Sequence, residues 1–204
     1  MAIRAALFDM DGTIYDSKID WLALRAEIEI PWDGRPILAQ LEDCDDETRT
    51  RGVAALHRIE AEGARNGTLI DGTTELLSTL REHGTRCALV TNNSRASAAA
   101  VLSRYDLGFE VVLTREDGPA KPDPHLFVLA LERLGVAPED ALVIGDAHLD
   151  AIAAHAAGVP QVVLVGTPEW MREHLPEGSR HHEAADLHHV REIVERLLGD
   201  GASP

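Results

Sequence analysis

Short aliphatic runs, most of them closed by a glycine or a polar residue, constrain this chain more than any other feature of its sequence. Residues 5–8 run into Asp9, residues 87–90 into Thr91-Asn92-Asn93, and residues 141–144 into Gly145-Asp146. Val111-Val112-Leu113 and residues 161–165, ending at Gly166, add two more. Continuous apolar runs of this length, bounded by turn residues, are strands buried on both faces, as in a parallel sheet. Helical patterns lie between them. Residues 74–83 carry Leu76, Leu77 and Leu80 and stop at Gly84; 97–105 stop near Gly108; 150–157 stop at Gly158. Asp123-Pro124 predicts a helix start, with Asp as cap and Pro in first position, for a helix bearing Leu126, Phe127, Leu129, Ala130 and Leu134. Leu187, Val190, Ile193, Val194, Leu197 and Leu198 recur with helical period. This alternation predicts an α/β fold, a doubly wound parallel sheet with right-handed crossovers.

Residues 16–71 break the rhythm. They hold no strand-like run, but helical patterns at 20–28, 35–41 and 47–64, with an acidic patch at 42–47 that reads as a solvated helix edge. The stretch is a small helical insertion between the first strand and the next strand–helix unit.

The 204 residues are 45% hydrophobic and 26% charged, enough for a large core without staples. A net charge of −16 argues against nucleic acid and against an acidic membrane surface. Cys44 and Cys87 lack any C-x-x-C spacing, so a disulfide framework and a cysteine zinc site are both disfavoured and a reducing, cytoplasmic compartment is expected. Asp9 and Asp11 interrupt the N-terminal apolar stretch, so no signal peptide or membrane span is expected there. Only Lys18 and Lys121 are lysines, which draws attention to both.

The polar residues that follow the strands carry the functional argument. In an open parallel sheet, ligands bind beyond the carboxyl ends of the strands where strand order reverses. Asp9, Asp11, Thr91, Asn92 and Asp146 all belong there. Asp9 and Asp11 alternate along an extended end and face opposite ways unless the chain curls at Gly12. Thr91-Asn92 is a turn by composition, with Ser94 able to cap the next helix; functionally, a hydroxyl beside backbone N–H groups holds phosphate oxygens. Lys121 lies in Ala120-Lys121-Pro122-Asp123-Pro124, either a surface lysine or a stiffly mounted charge aimed at an anion. Asp146 is either a helix cap or, with Asp150 four residues on, part of a site for a hard cation with a supporting hydrogen bond.

Four motifs in this order, D-x-D-G-T at 9–13, strand-T-N at 91–92, K-P at 121–122 and G-D-x-x-x-D at 145–150, resemble those of the haloacid dehalogenase superfamily of phosphohydrolases, in the helical-cap subgroup that includes phosphoglycolate phosphatases. The resemblance covers nearly the whole chain. It implies a Rossmann-like core (1–15 and 72–204) with a helical cap (16–71), and a Mg2+-dependent phosphatase acting on a small phosphorylated metabolite, phosphoglycolate- or sugar-phosphate-like, as a monomer or homodimer. It implies Asp9 as nucleophile and Mg2+ ligand, Asp11 as general acid/base with its carbonyl on the metal, and Asp146 as a further ligand. Thr91, Asn92, Gly12 and Lys121 bind phosphate, and Asp150 supports the site. His148 departs from the small or apolar residue expected inside the fourth motif, and the cap is short.

The chemistry asks for such groups. A carboxylate attacking a phosphate dianion is repelled, and a cation with Lys121 offsets this; an ionised Asp11 adds to the repulsion, so its neutral form is favoured and its pKa raised. A phosphomutase uses the same residues, and a non-catalytic phosphometabolite-binding protein is the alternative from another class. Trp21, Arg25, Trp32 and Arg35 either face substrate or pack the insertion. His181, His182, His188 and His189 read as surface residues in preference to a metal site.

Overall fold

A computed structural model describes residues 3–175 and 180–200; Met1 and Ala2, at the start of the stretch read for a leader, lie outside them. In chain order the elements are β1 (Ala5–Phe8), β2 (Tyr15–Asp16), α1 (Trp21–Glu27), α2 (Ile37–Glu42), α3 (Asp46–Asn66), β3 (Thr68–Leu69), α4 (Thr73–Glu82), β4 (Arg86–Val90) and α5 (Arg95–Arg104). There follow β5 (Val111–Leu113), α6 (His125–Leu134), β6 (Ala141–Gly145), α7 (His148–Ala156), β7 (Gln161–Val165), α8 (Glu169–Arg172), β8 (His182–Ala184) and α9 (Leu187–Asp200).

Six strands form one parallel sheet in the order β5-β4-β1-β6-β7-β8. β1 lies between β4 and β6, with Phe8 opposite both Leu89 and Ile144. The chain builds outward from β1 through β4 to β5, then returns through α6 to β6 on the other side. That reversal opens a crevice at the carboxyl ends of β1, β4 and β6. Alternate strand residues feed two cores. Phe8, Leu89 and Ile144 pack with Leu76 and Leu80 of α4 and Leu187 and Val190 of α9. Leu7, Val90 and Val143 pack with Phe127 and Leu131 of α6 and Ala154 of α7. Both faces are covered, which is why the strands read as unbroken apolar runs.

Three features depart from the sequence reading. β8, at one edge of the sheet, has no apolar run, with His182 and Glu183 exposed and only Ala184 buried. The insertion is not wholly helical at its base, where β2 and β3 pair antiparallel, Tyr15 opposite Leu69. And α6 starts at His125, behind Pro124; Asp123 Oδ1 accepts from the His125 amide at 2.8 Å. The helices α1–α3 have an apolar cluster of their own, built on Leu24, Ile28, Ile37, Leu41 and Leu56. The acidic patch forms the α2–α3 turn: Asp45 caps α3 by accepting from Thr48 N at 2.8 Å, and Asp46 and Glu47 occupy its first turn.

Candidate active site

Asp9 is held by the sheet itself. Its amide donates to Ile144 O at 2.9 Å, extending the β1–β6 ladder one residue beyond the strand. The chain then curls. The amides of Thr13, Ile14 and Tyr15 converge on Met10 O at 3.0–3.3 Å, and Gly12 N donates to Tyr15 O at 2.9 Å. Gly12 sits at φ +78°, and a Cβ there would strike the Asp146 carboxylate, so both backbone and clearance require glycine. The curl brings Asp11 back to the same crevice. Asn93 Nδ2 donates to Asp11 Oδ2, while Asp11 Oδ1 and Thr13 Oγ1 are buried without a partner among the described residues.

Lys121 is 2% exposed, so the surface reading of it is excluded. Its Nζ donates to Asp9 Oδ1 at 2.5 Å, to Asp150 Oδ1 at 2.7 Å and to Val90 O at 3.0 Å. Burial on its own would lower the lysine pKa, but Asp150 and Asp9 together outweigh it and hold the ammonium charged. Carboxylate oxygens of Asp9, Asp146 and Asp150 lie within 4.8 Å of one another. Asp150 is committed on both sides, since its Oδ2 accepts from Ala147 N at 3.2 Å. It stands behind Lys121 as a brace, which leaves Asp9 and Asp146 as the carboxylates free to hold a cation. Three carboxylates against one ammonium leave a formal −2, and every donor is a hard oxygen. That donor set fits Mg2+ and calls for no thiolate or imidazole ligand.

The same crowding shows in the titration of the site. Burial pushes Asp9 up to about 7, opposed by Lys121 and assisted by Asp150. Burial and the neighbouring carboxylates Asp9 and Asp150 hold Asp146 well above the usual carboxylate range. Burial raises Asp11 to about 6 against hydrogen bonds from Asn93 and Ser17. The direction for Asp11 is the one expected, but the cause differs: desolvation leads, and neighbouring charge contributes less.

Two residues expected to hold phosphate also have partners inside the protein. The Gly12 amide is spent on Tyr15 O, so this glycine supplies clearance. The Asn92 side chain clamps the Lys121 backbone, Nδ2 donating to Lys121 O and Oδ1 accepting from Lys121 N, both at 2.9 Å. Thr91 is buried beside it, with Oγ1 accepting from Asn93 N at 3.1 Å. The sequence reading passed over Asn93, whose Asn-Asn-Ser setting is indistinguishable from a turn.

Among the cap residues weighed, Arg25 is buried in the insertion, donating to Pro31 O at 3.2 Å, Arg35 O at 2.8 Å and Gln40 Oε1, with its guanidinium 4.9 Å from the Trp32 ring centre. Arg35 pairs at the surface with Asp33 and Asp43. Neither tryptophan joins the insertion's core. Trp21 and Trp32, each over a third exposed, line an open cavity of about 520 Å³ with Lys18, Arg25 and Met171. His148 explains its own departure: it is buried, its Nε2 lies 3.0 Å from Gly34 O, and its ring meets Trp32 edge-on, so it seats the 31–35 loop on the core. Of the C-terminal histidines, His188 meets Asp71 at 3.0 Å and His182 meets Gln161 at 3.3 Å.

The family comparison agrees with this geometry. Residues 3–158 match the model of the haloacid dehalogenase-like hydrolases. A phosphoglycolate phosphatase of Xanthomonas campestris is 32% identical over 79% of this chain and 83% of its own length. A provisionally named pyrophosphatase, PpaX, of Caldanaerobacter subterraneus is 31% identical over 80% of this chain and 82% of its own. Among solved structures, a HAD-superfamily hydrolase of subfamily IA from Geobacter sulfurreducens superposes with a TM-score of 0.65 at 26% identity, covering 97% of both chains. No helix among the described residues is long and apolar enough to cross a membrane. The chain belongs to the haloacid dehalogenase-like hydrolases, and within them to the phosphatase type represented by these relatives.

Proposed function

We propose that this protein is a Mg2+-dependent phosphatase that hydrolyses a small phosphorylated metabolite, phosphoglycolate- or sugar-phosphate-like, through a phosphoryl group carried on Asp9. The observation that carries this reading is the buried Asp9–Lys121–Asp150 chain with Asp146 beside it and Asp11 folded back over it. Residues 1–15 and 72–204 serve as the catalytic core and 16–71 as its cap. The two free cysteines fit a reducing cytoplasm.

The residues divide the work as follows. An Asp9 carboxylate oxygen forms a bond to phosphorus while the bond from phosphorus to the leaving oxygen breaks. Asp11 gives its proton to that oxygen, so an alcohol departs. Asp11, now ionised, takes a proton from water, whose oxygen attacks the aspartyl-phosphate and releases phosphate with Asp9 restored. Lys121, the Thr91 hydroxyl and the Asn92 backbone amide hold the phosphoryl oxygens. Asp9, Asp146 and the Asp11 carbonyl would hold Mg2+, which supplies positive charge against the phosphoryl oxygens.

Release of phosphate from p-nitrophenyl phosphate and a panel of phosphorylated metabolites, with and without Mg2+, tests the reading. Metal-dependent release is expected. Failure to release phosphate from any of them under either condition defeats it and favours a binding protein. Lys121→Ala is expected to lower kcat by roughly 10²–10³-fold, because it removes a buried charge from the phosphoryl site. Near-normal kinetics in that variant would return Lys121 to a purely structural role.

A further inference from the structure

We propose that Glu60 and Arg115 are positioning residues, a cap-to-core strut that sets the loop presenting Thr91, Asn92 and Asn93; the inference rests on the phosphatase reading above. Glu60 lies on α3 of the insertion and Arg115 in the loop after β5, 55 positions apart. Their side chains are 2% and 9% exposed. The pair is two-pronged: Arg115 Nη1 donates to Glu60 Oε1, and Nη2 donates to Glu60 Oε2 at 3.1 Å. A buried pair of this kind is geometrically specific, since it persists only where the remaining donors and acceptors are also satisfied.

Here they are satisfied by the loop after β4. Glu60 Oε2 accepts from Ser94 N at 3.3 Å, and Arg115 Nη1 also donates to Asn92 O at 3.1 Å. The Arg115 amide donates to Asn93 O at 3.3 Å. Three consecutive residues are therefore fixed by one ion pair and its backbone. Asn92 passes the constraint to Lys121 through its two bonds to the lysine backbone, and Asn93 passes it to Asp11. The insertion thus helps build the site it covers. When Glu60 is seated on Arg115, the loop aims Asn93 at the acid/base and Asn92 at the phosphate lysine.

The test uses the full chain in three variants, with p-nitrophenyl phosphate and saturating Mg2+, the folded fraction being measured by circular dichroism and melting. Glu60→Gln and Arg115→Met are each expected to lower kcat on the order of 10- to 100-fold, the scale of a misplacement remote from the chemistry. KM should change less than kcat, since neither side chain touches substrate and the Thr91 and Asn92 contacts they position count most in the transition state. The double variant Glu60→Gln/Arg115→Met leaves no charge buried alone, so it is expected to regain melting temperature without regaining kcat. Hydrogen exchange at residues 91–95 should quicken in all three relative to β1 and β6. A double variant that melts normally and turns over within about twofold of the parent overturns the proposal, as does a kcat loss matched by the unfolded fraction. Unchanged exchange at 91–95 overturns it independently of turnover. Absence of turnover in the parent chain would instead defeat the phosphatase reading, and exchange would then decide the strut alone.

Discussion

Asp9→Asn is expected to lose turnover by about 10⁴-fold or more, the scale seen when a nucleophile is removed from a site whose groups act as a unit. The substitution is nearly isosteric, and the amide can still accept from Lys121 Nζ. What it lacks is a carboxylate oxygen able to bond to phosphorus. The fold should not suffer. Lys121 keeps Asp150 and Val90 O as partners, and the backbone of residue 9 remains tied to Ile144 O. Removal of one negative charge from a cluster of three also relieves repulsion that already lifts Asp9 and Asp146. At pH 8 the metal-free variant is therefore expected to melt at or above the temperature of the parent chain. Steady-state phosphate release and melting curves on the same preparation check both halves. Retained turnover would remove Asp9 as nucleophile, and a collapsed melting temperature would show that its charge is needed for the fold.

That prediction joins two kinds of information that the sequence carries unequally. The sheet was legible because β1, β4, β6 and β7 are covered on both faces, so burial writes itself as a continuous apolar run. Asp9 and Asp146 were legible because each stands immediately after, or one glycine beyond, such a run. Contacts made across distance were not. Glu60 reads as one more acidic residue on a helix, and nothing in its neighbours points to Arg115. Asn93 reads as a turn residue because asparagine favours turns whatever its side chain touches. Gly12 and Asn92 are legible by position, but the Tyr15 O that takes the Gly12 amide and the Lys121 backbone that takes the Asn92 side chain are not, since which groups a side chain or amide satisfies is decided by the elements that meet there. β8 escaped because its residues are His182, Glu183 and Ala184, with only the alanine buried, whereas β5, equally short and also at an edge, announces itself as Val-Val-Leu. His148 stood out as unusual, but its use as a seat for Trp32 and Gly34 depends on a loop more than a hundred positions away.

Chelation and pH should act on stability through the same carboxylates. Asp9 and Asp11 have folded-state pKa values of about 7 and about 6, raised by burial above the ordinary 3.8. A group raised in the folded state contributes stability that is fully present below its unfolded pKa and is lost as pH rises through its folded pKa. The chelated protein is therefore expected to melt higher at pH 5.5 than at pH 8, with the change concentrated between about pH 4 and 7. Mg2+ binds the ionised carboxylates, so its effect runs the other way, large at pH 8 and small at pH 5.5. At a concentration about 100 times its Kd it should add about 2.7 kcal/mol, or roughly 5–10 °C for a chain of this size. General repulsion in a chain of net charge −16 also eases at low pH, and Asp146→Asn separates the two effects. If the site is responsible, that variant loses the Mg2+ shift and, because Asp146 is itself raised by burial and its neighbours, the share of the pH dependence that it adds to those of Asp9 and Asp11. If repulsion over the whole surface is responsible, the slope survives the substitution, and the acidic cluster is not where the pH dependence resides.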